Sequence, residues 1–309
     1  MARTDAPQDE FLQHAAGAAR AGDVDGLGRI LKETPHVLEA RDSEGHTLLG
    51  LACKAATGNL ALPPVTGTRE QHAAIDRILA AGADPSACAD DGWAPLHTAA
   101  MTGHVDLARR LLVAGAPREG RLLGCQGGSP LALSIFYAKT EVAGLLAEPP
   151  IPDNLRTAGG LGRNLDPFVD GDRLTPQAAE GVDFYRPLTI FPEWNRTNSR
   201  QELLDEALSW AARNDQCESM AALVDLGADV NANPYRGTPL LWAVYDDRGG
   251  AAAWLLEHGA DPDLRHDFGG EGHGVSAVAM HLAAQYASLN LINSRILGIE
   301  SSSPLKTSS

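Results

Sequence analysis

The chain has 309 residues, long enough for one elongated domain or two compact ones, and 44% are hydrophobic, so a sizeable core can form. Aromatic residues are few (5 Trp, 5 Tyr, 6 Phe) and Gly reaches 32, a mix that suits closely stacked small helices better than a sandwich of bulky side chains. A formal charge of −15, from 40 acidic and 25 basic residues, repels phosphate and excludes nucleic acid and anionic membranes as expected partners.

The four cysteines, Cys53, Cys88, Cys125 and Cys217, form no C-x-x-C pair. They read as incidental thiols in a reducing cytoplasm, not as staples or zinc ligands. Residues 1–10 are polar, predict a flexible leader, and contain no apolar stretch of a secretory signal. No apolar run approaches the roughly 20 residues of a membrane helix. The expected location is therefore the cytoplasm, where the sequon Asn195-Arg196-Thr197 carries no meaning. Ala, Gly and Arg usage points to a GC-rich bacterial source.

In chain order, residues 11–43 (FLQHAAGAARAGDVDGLGRILKETP within them) predict a helix pair that lacks a Thr-Pro-Leu start, as suits an end cap. Residues 44–90 run from Thr47-Leu48-Leu49 to Gly82, 35 positions where 21 are expected, so a 14-residue insertion falls within 55–70. Residues 91–126 hold the best-preserved unit. From Ala94-Pro95-Leu96 to Gly115-Ala116 is 21 positions, and Thr238-Pro239-Leu240 to Gly259-Ala260 is again 21. Gly227-Ala228-Asp229 and Gly259-Ala260-Asp261 recur at a step of 32, and Gly82 and Gly115 at 33. Two landmarks that keep one register mark an internal repeat.

The physics of one unit explains the landmarks. A Thr or Ser before Pro starts a helix, because its hydroxyl accepts a free backbone N–H and Pro sits where no donor is needed. In the third unit PLHTAA is a short helix and Gly103 ends it. HVDLARRLLVAG predicts a second helix with Val105, Ala108, Leu111 and Leu112 on one face. One pair cannot bury both its faces, so units must stack.

Units continue at 127–170, 200–232, 233–265 and 275–299, and 300–309 is a Ser-rich tail expected to be disordered. NLRTAGGLGRNLDPFVD reads as another worn helix pair. Residues 171–199 fit no unit, and they hold Phe184, Tyr185, Phe191 and Trp194 in a short span.

The pattern at Gly92–Pro117, with its Pro-Leu-His, paired alanines, Gly-His turn and Leu-Leu before Gly-Ala, resembles the ankyrin repeat. The resemblance implies an all-α solenoid of stacked helix-turn-helix units with projecting loops. It implies that His97 ties neighbouring loops together, and that loop tips and first helices form a partner-binding groove. On that basis the expected contact residues are Asp90, Asp91, Trp93, Met101 and Thr102 in the third unit, Tyr235 and Arg236 in the sixth, and His266 and Phe268 beyond it. Arg236 stands where the third unit has glycine, so the turn before Thr238 is expected to be shaped differently. Tyr185, Arg186 and Trp194 join the set as rigid aromatic and arginine anchors.

The sequence shows no catalytic motif and implies no cofactor or metal. GGLGRN and GGEGHG lack the strand and the Lys-Ser/Thr ending of phosphate loops, and the set from His258 to His273 lacks helical ligand spacing. The function expected is a non-catalytic scaffold whose protein partner carries a basic segment. The alternative is an enzyme or small-molecule binder with a pocket under 165–199, using Asp170, Asp172, Tyr185 and Arg186.

Overall fold

A computed structural model describes residues 6–58, 67–148, 154–180, 184–186 and 197–265, with 276, 278 and 281. Helices dominate, and the strands are two-residue pairings at loop bases. Six helix pairs follow in order. They are α1 (Ala6–Ala21) with α2 (Val24–Glu33), α3 (Leu48–Ala56) with α4 (Arg69–Ala80), α5 (Pro95–Thr102) with α6 (Val105–Val113), and α7 (Pro130–Phe136) with α8 (Thr140–Leu146). A lone α9 (Leu155–Leu161) precedes α10 (Arg200–Arg213) with α11 (Cys217–Asp225), then α12 (Pro239–Tyr245) with α13 (Gly249–Glu257).

First helices stack on first helices, α1 on α3, α3 on α5, α5 on α7 and α10 on α12. The buried layer is made of Leu, Ala and Ile, from Leu12 and Leu27 through Leu96, Leu107 and Leu111 to Leu240 and Leu255. On α6 the buried side chains are Leu107, Ala108 and Leu111, whereas Val105 and Leu112 are only partly covered. The expected face was thus rotated by part of a turn.

Caps follow the sequence. Thr47, Ser129 and Thr238 accept from the N–H of Gly50, Ala132 and Leu241. Ser199 and Glu202 form a reciprocal capping box. In the third unit Ala94 has no hydroxyl, and His97 Nδ1 accepts the Ala94 N–H at 3.0 Å instead. The turn between the helices of each pair uses a left-handed residue: Gly22, Gly58, Gly103, Ala138, Asp215 and Asp247 all have positive φ. Three of these six are not glycine, so half of the turns carry backbone strain that packing must hold.

Two segments break the rhythm. Residues 57–68 separate α3 from α4, whereas only 103–104 separate α5 from α6. After α9, the place of a second helix is taken by a 3-10 turn (Asp166–Phe168), a hairpin of β2 (Val169–Asp170) with β3 (Arg173–Leu174), and another 3-10 turn (Pro176–Ala179). The worn pair expected there is therefore half helix, with Phe168 and Ala178 supplying the buried contacts. α9 lies close against α7 and α10 because Gly160 carries no side chain, and a Cβ there would meet Ile135 Cγ2 at 2.3 Å.

Candidate interaction groove

The groove is built by register. Four of the six first helices place two groove side chains five and two residues before the left-handed turn residue: Thr98 and Met101, Leu133 and Phe136, Trp210 and Arg213, Trp242 and Tyr245. Residues three apart share one helix face, so the pairs form rows. The rows meet across units. Phe136 lies 6.4 Å from Trp210 and 6.3 Å from Trp242 between ring centroids. Loop residues fold onto the same surface: Tyr185 and Tyr235 approach Phe136 at 5.0 and 5.1 Å. The face is thus the one beneath the projecting loops.

Its loops are tied to one another. β1 (Gln126–Gly127) pairs antiparallel with β4 (Tyr185–Arg186). Arg41 donates to the carbonyls of Gly45 and Cys88, and Asp90 N–H to Glu44 O. His97 is 1% exposed and its Nε2 donates to Gly128 O at 3.1 Å, linking the third unit to the fourth. Burial, only partly offset by the Gly128 carbonyl, lowers its pKa to about 4, so the imidazole is neutral with the proton on Nε2.

The expected contact residues divide by exposure. Asp90 and Asp91 are exposed at a loop tip, and Asp91 Oδ1 accepts the Trp93 N–H. Trp93 is partly covered, its indole N–H donating to Thr98 Oγ1 at 2.8 Å. Met101 and Thr102 are partly exposed beside it, and Thr102 Oγ1 donates to Thr98 O. Arg236 is partly exposed with φ +58, against +86 at Gly92, so it takes the left-handed conformation of the glycine. Trp194, His266 and Phe268 lie outside the described residues.

Tyr185, Arg186 and Tyr235 are interior, which suits them to holding the groove and not to lining its free surface. Arg186 is 1% exposed: its Nε and Nη2 donate to Glu206 at 3.0 and 2.8 Å, its Nη1 to Gln126 Oε1, and its Nη2 also to Asn198 Oδ1. Arg156 reaches the same Glu206 and Asn198. Burial pushes the Glu206 pKa up, but Arg156 and Arg186 outweigh it and hold the carboxylate below its usual range. Burial raises the Tyr185 phenol well above its ordinary value, and Tyr137 reinforces the rise.

Arg213 is buried between rings of neighbouring units, its guanidinium 4.2 Å from the Phe136 centroid and 3.3 Å from that of Trp242. Its Nη1 donates to Phe136 O at 2.8 Å. Burial lowers its pKa to about 10 against the pull of Asp246. Toward α12 the floor opens: Trp242 is partly covered and Tyr245 is 48% exposed. These two went unnoticed in the sequence, although their register matches that of Thr98 and Met101.

Acidic groups crowd the loop side. A cleft of about 230 Å³ is lined by Glu202, Asp205, Glu206, Asp229, Ala232, Asn233 and Pro234. Burial raises the Asp205 pKa, against hydrogen bonds from the Asp229 N–H and the Gln201 amide that lower it. The floor itself also carries cations, Lys54 on α3 and Arg213 on α10. Among the described residues no three His, Cys, Asp or Glu side chains gather to hold a metal ion, and no helix is long and apolar enough to cross a membrane. His258 stacks on Trp254 at 3.7 Å.

The architecture defines a repeat solenoid of stacked helix pairs, the class that presents one continuous groove beneath a row of loops. The family model described as "Ankyrin repeats (3 copies)" matches residues 68–156 and 181–266, more than half of the chain, which therefore belongs to the ankyrin repeat family. The chain is 28% identical over 196 residues to the mouse "Ankyrin repeat and SOCS box protein 16", a match covering 59% of this chain and 40% of that protein. The chain thus spans about two fifths of that relative's length. The crystal structure of the human ASB11 ankyrin repeat domain is 18% identical, with a TM-score of 0.42 over 86% of this chain and 90% of that one. Repeats of this family in general mediate contacts between proteins.

Proposed function

We propose that the chain is a non-catalytic cytoplasmic scaffold that binds a protein partner in the groove, with the loop tips Asp90 and Asp91 and the floor residues Trp93, Met101, Thr102, Trp242 and Tyr245 as contacts. Arg236 borders the same surface, and Trp194, His266 and Phe268 complete the proposed set. Tyr185, Arg186 and Tyr235 support it from within. The observation that carries this reading is the accessible aromatic and thioether floor beneath an acidic rim, since interfaces favour Trp, Tyr and Met at their centre. The acidic rim selects a partner segment rich in Lys or Arg, and rim charge makes association salt-sensitive. The test is capture from native lysate with the wild-type chain and with a Trp93→Ala, Tyr245→Ala double variant, each at low and high salt. Partners should be lost from the variant and released by salt. Equal capture by both chains, or capture indifferent to salt, contradicts the proposal.

A further inference from the structure

The groove floor at the first two units carries a constellation that partner binding leaves unused. Lys54 stands seven residues after its helix cap Thr47, as Met101 stands seven after Ala94. Its Nζ lies 2.5 Å from His46 Nε2. His46 Nδ1 lies 3.2 Å from both carboxylate oxygens of Asp42 and 3.5 Å from Glu44 Oε2. The imidazole is 6% exposed, and its own backbone N–H donates to Asp42 Oδ1 at 2.8 Å, which fixes the ring against that carboxylate. Because Asp42 accepts at Nδ1, the proton sits there and the Nε2 lone pair faces Lys54. A cleft of about 360 Å³ opens onto this relay, lined by Arg20 from α1, by Asp42, Glu44 and His46 from the loop, and by Leu51, Lys54 and Ala55 from α3.

We infer that Lys54 is a site of acyl modification by a small acyl phosphate, with His46 as its general base. His46 Nε2 takes a proton from the Lys54 ammonium, and Asp42 stabilises the resulting imidazolium. The freed amine attacks the acyl carbon. An N–C bond forms as the C–O bond to phosphate breaks, the amide nitrogen releases its remaining extra proton to water, and the imidazolium returns its proton to the departing phosphate. No oxidant or further reactant is needed. Arg20 in the same cleft offers a guanidinium to the phosphate. The product loses one positive charge from the groove floor, so the modification would act on the surface proposed for partner binding, but its chemistry is independent of that reading.

The test incubates the full chain with acetyl phosphate near pH 8 and follows site occupancy by peptide mass spectrometry. Lys32, exposed on α2, is the internal reference. Lys54 should acetylate on the order of tenfold faster than Lys32 or more, within the usual reach of a positioned base. His46→Gln should bring it down to the Lys32 rate while circular dichroism stays unchanged. Lys54 reacting no faster than Lys32 overturns the assignment, as does a ratio untouched in folded His46→Gln. If that variant does not fold, His46→Asn, which keeps an amide near Asp42 but has no group at the Nε2 position, takes its place, and a ratio untouched there overturns it instead.

Discussion

The Arg213 guanidinium lies 3.3 Å from the centre of the Trp242 ring and 4.2 Å from that of Phe136, so one unit's cation meets rings from two other units. Among the described residues its Nε and Nη2 meet no hydrogen-bond acceptor, and the planar group is held by the rings and by Phe136 O. Arg213→Lys keeps the charge but loses the plane and the fork. The variant should lose about 2 kcal/mol in urea unfolding. A loss below about 0.5 kcal/mol would show that these ring contacts contribute nothing to unit coupling.

Glu206 pairs with both buried guanidiniums, those of Arg156 and Arg186. Glu206→Gln leaves those cations without a counter-charge in the interior and should destabilise by about 3 to 5 kcal/mol. The pH dependence follows from its lowered pKa: the stabilisation is complete above the ordinary glutamate range and is lost as pH falls through the depressed folded value. In the variant, acid unfolding should be correspondingly shallower. Equal stability of variant and wild type at pH 7 would refute the role given to this network.

His97 titrates in the opposite chemical sense. Its folded pKa is about 4, below the ordinary 6.5, because the buried ring resists charge. Between those values the unfolded chain binds a proton that the folded chain does not. Stability is therefore full above about pH 6.5 and falls by about 3 kcal/mol as pH drops to 4. His97→Gln should flatten this part of the stability curve. An unchanged slope between pH 6.5 and 4 would remove His97 as its source.

Ala138 occupies the left-handed turn between α7 and α8 with φ +55, where the third unit has Gly103 at +78. Relief of that conformation exceeds the extra chain entropy of glycine. Ala138→Gly should raise stability by about 0.5 to 1 kcal/mol, read from the shift in denaturation midpoint. A lower midpoint would mean that the Ala138 methyl, which is buried, matters more than its strain.

The repeat was legible because its signals are local. Caps at Ser129 and Thr238, the Gly115 and Gly259 ends, and the 21-residue register are set by backbone needs within one unit. The role of His97 was legible too, through the Pro-Leu-His pattern. What escaped depended on contacts far apart in the chain. Arg213 meets Phe136 across 77 residues, and Arg156 meets Glu206 across 50. Hydrophobic patterning places such charges outside, and only their pairing takes them in. Attention to aromatic density singled out residues 171–199, where Tyr185 and Arg186 turn out to be buried. Aligning each first helix on its turn residue would have found Trp242 and Tyr245 instead. At Arg236 the surrounding structure holds a non-glycine residue at φ +58, which the sequence alone does not announce.

The central claim is that partners engage the groove and not the back of the stack. Photo-cross-linking amino acids placed singly at Trp93, at Tyr245 and at the exposed Arg109 on α6 test it directly in the native cell. The account predicts one shared cross-linked partner with a Lys- or Arg-rich segment from positions 93 and 245, and none of that species from 109. The same partner captured from 109, with nothing from the two groove positions, would contradict it.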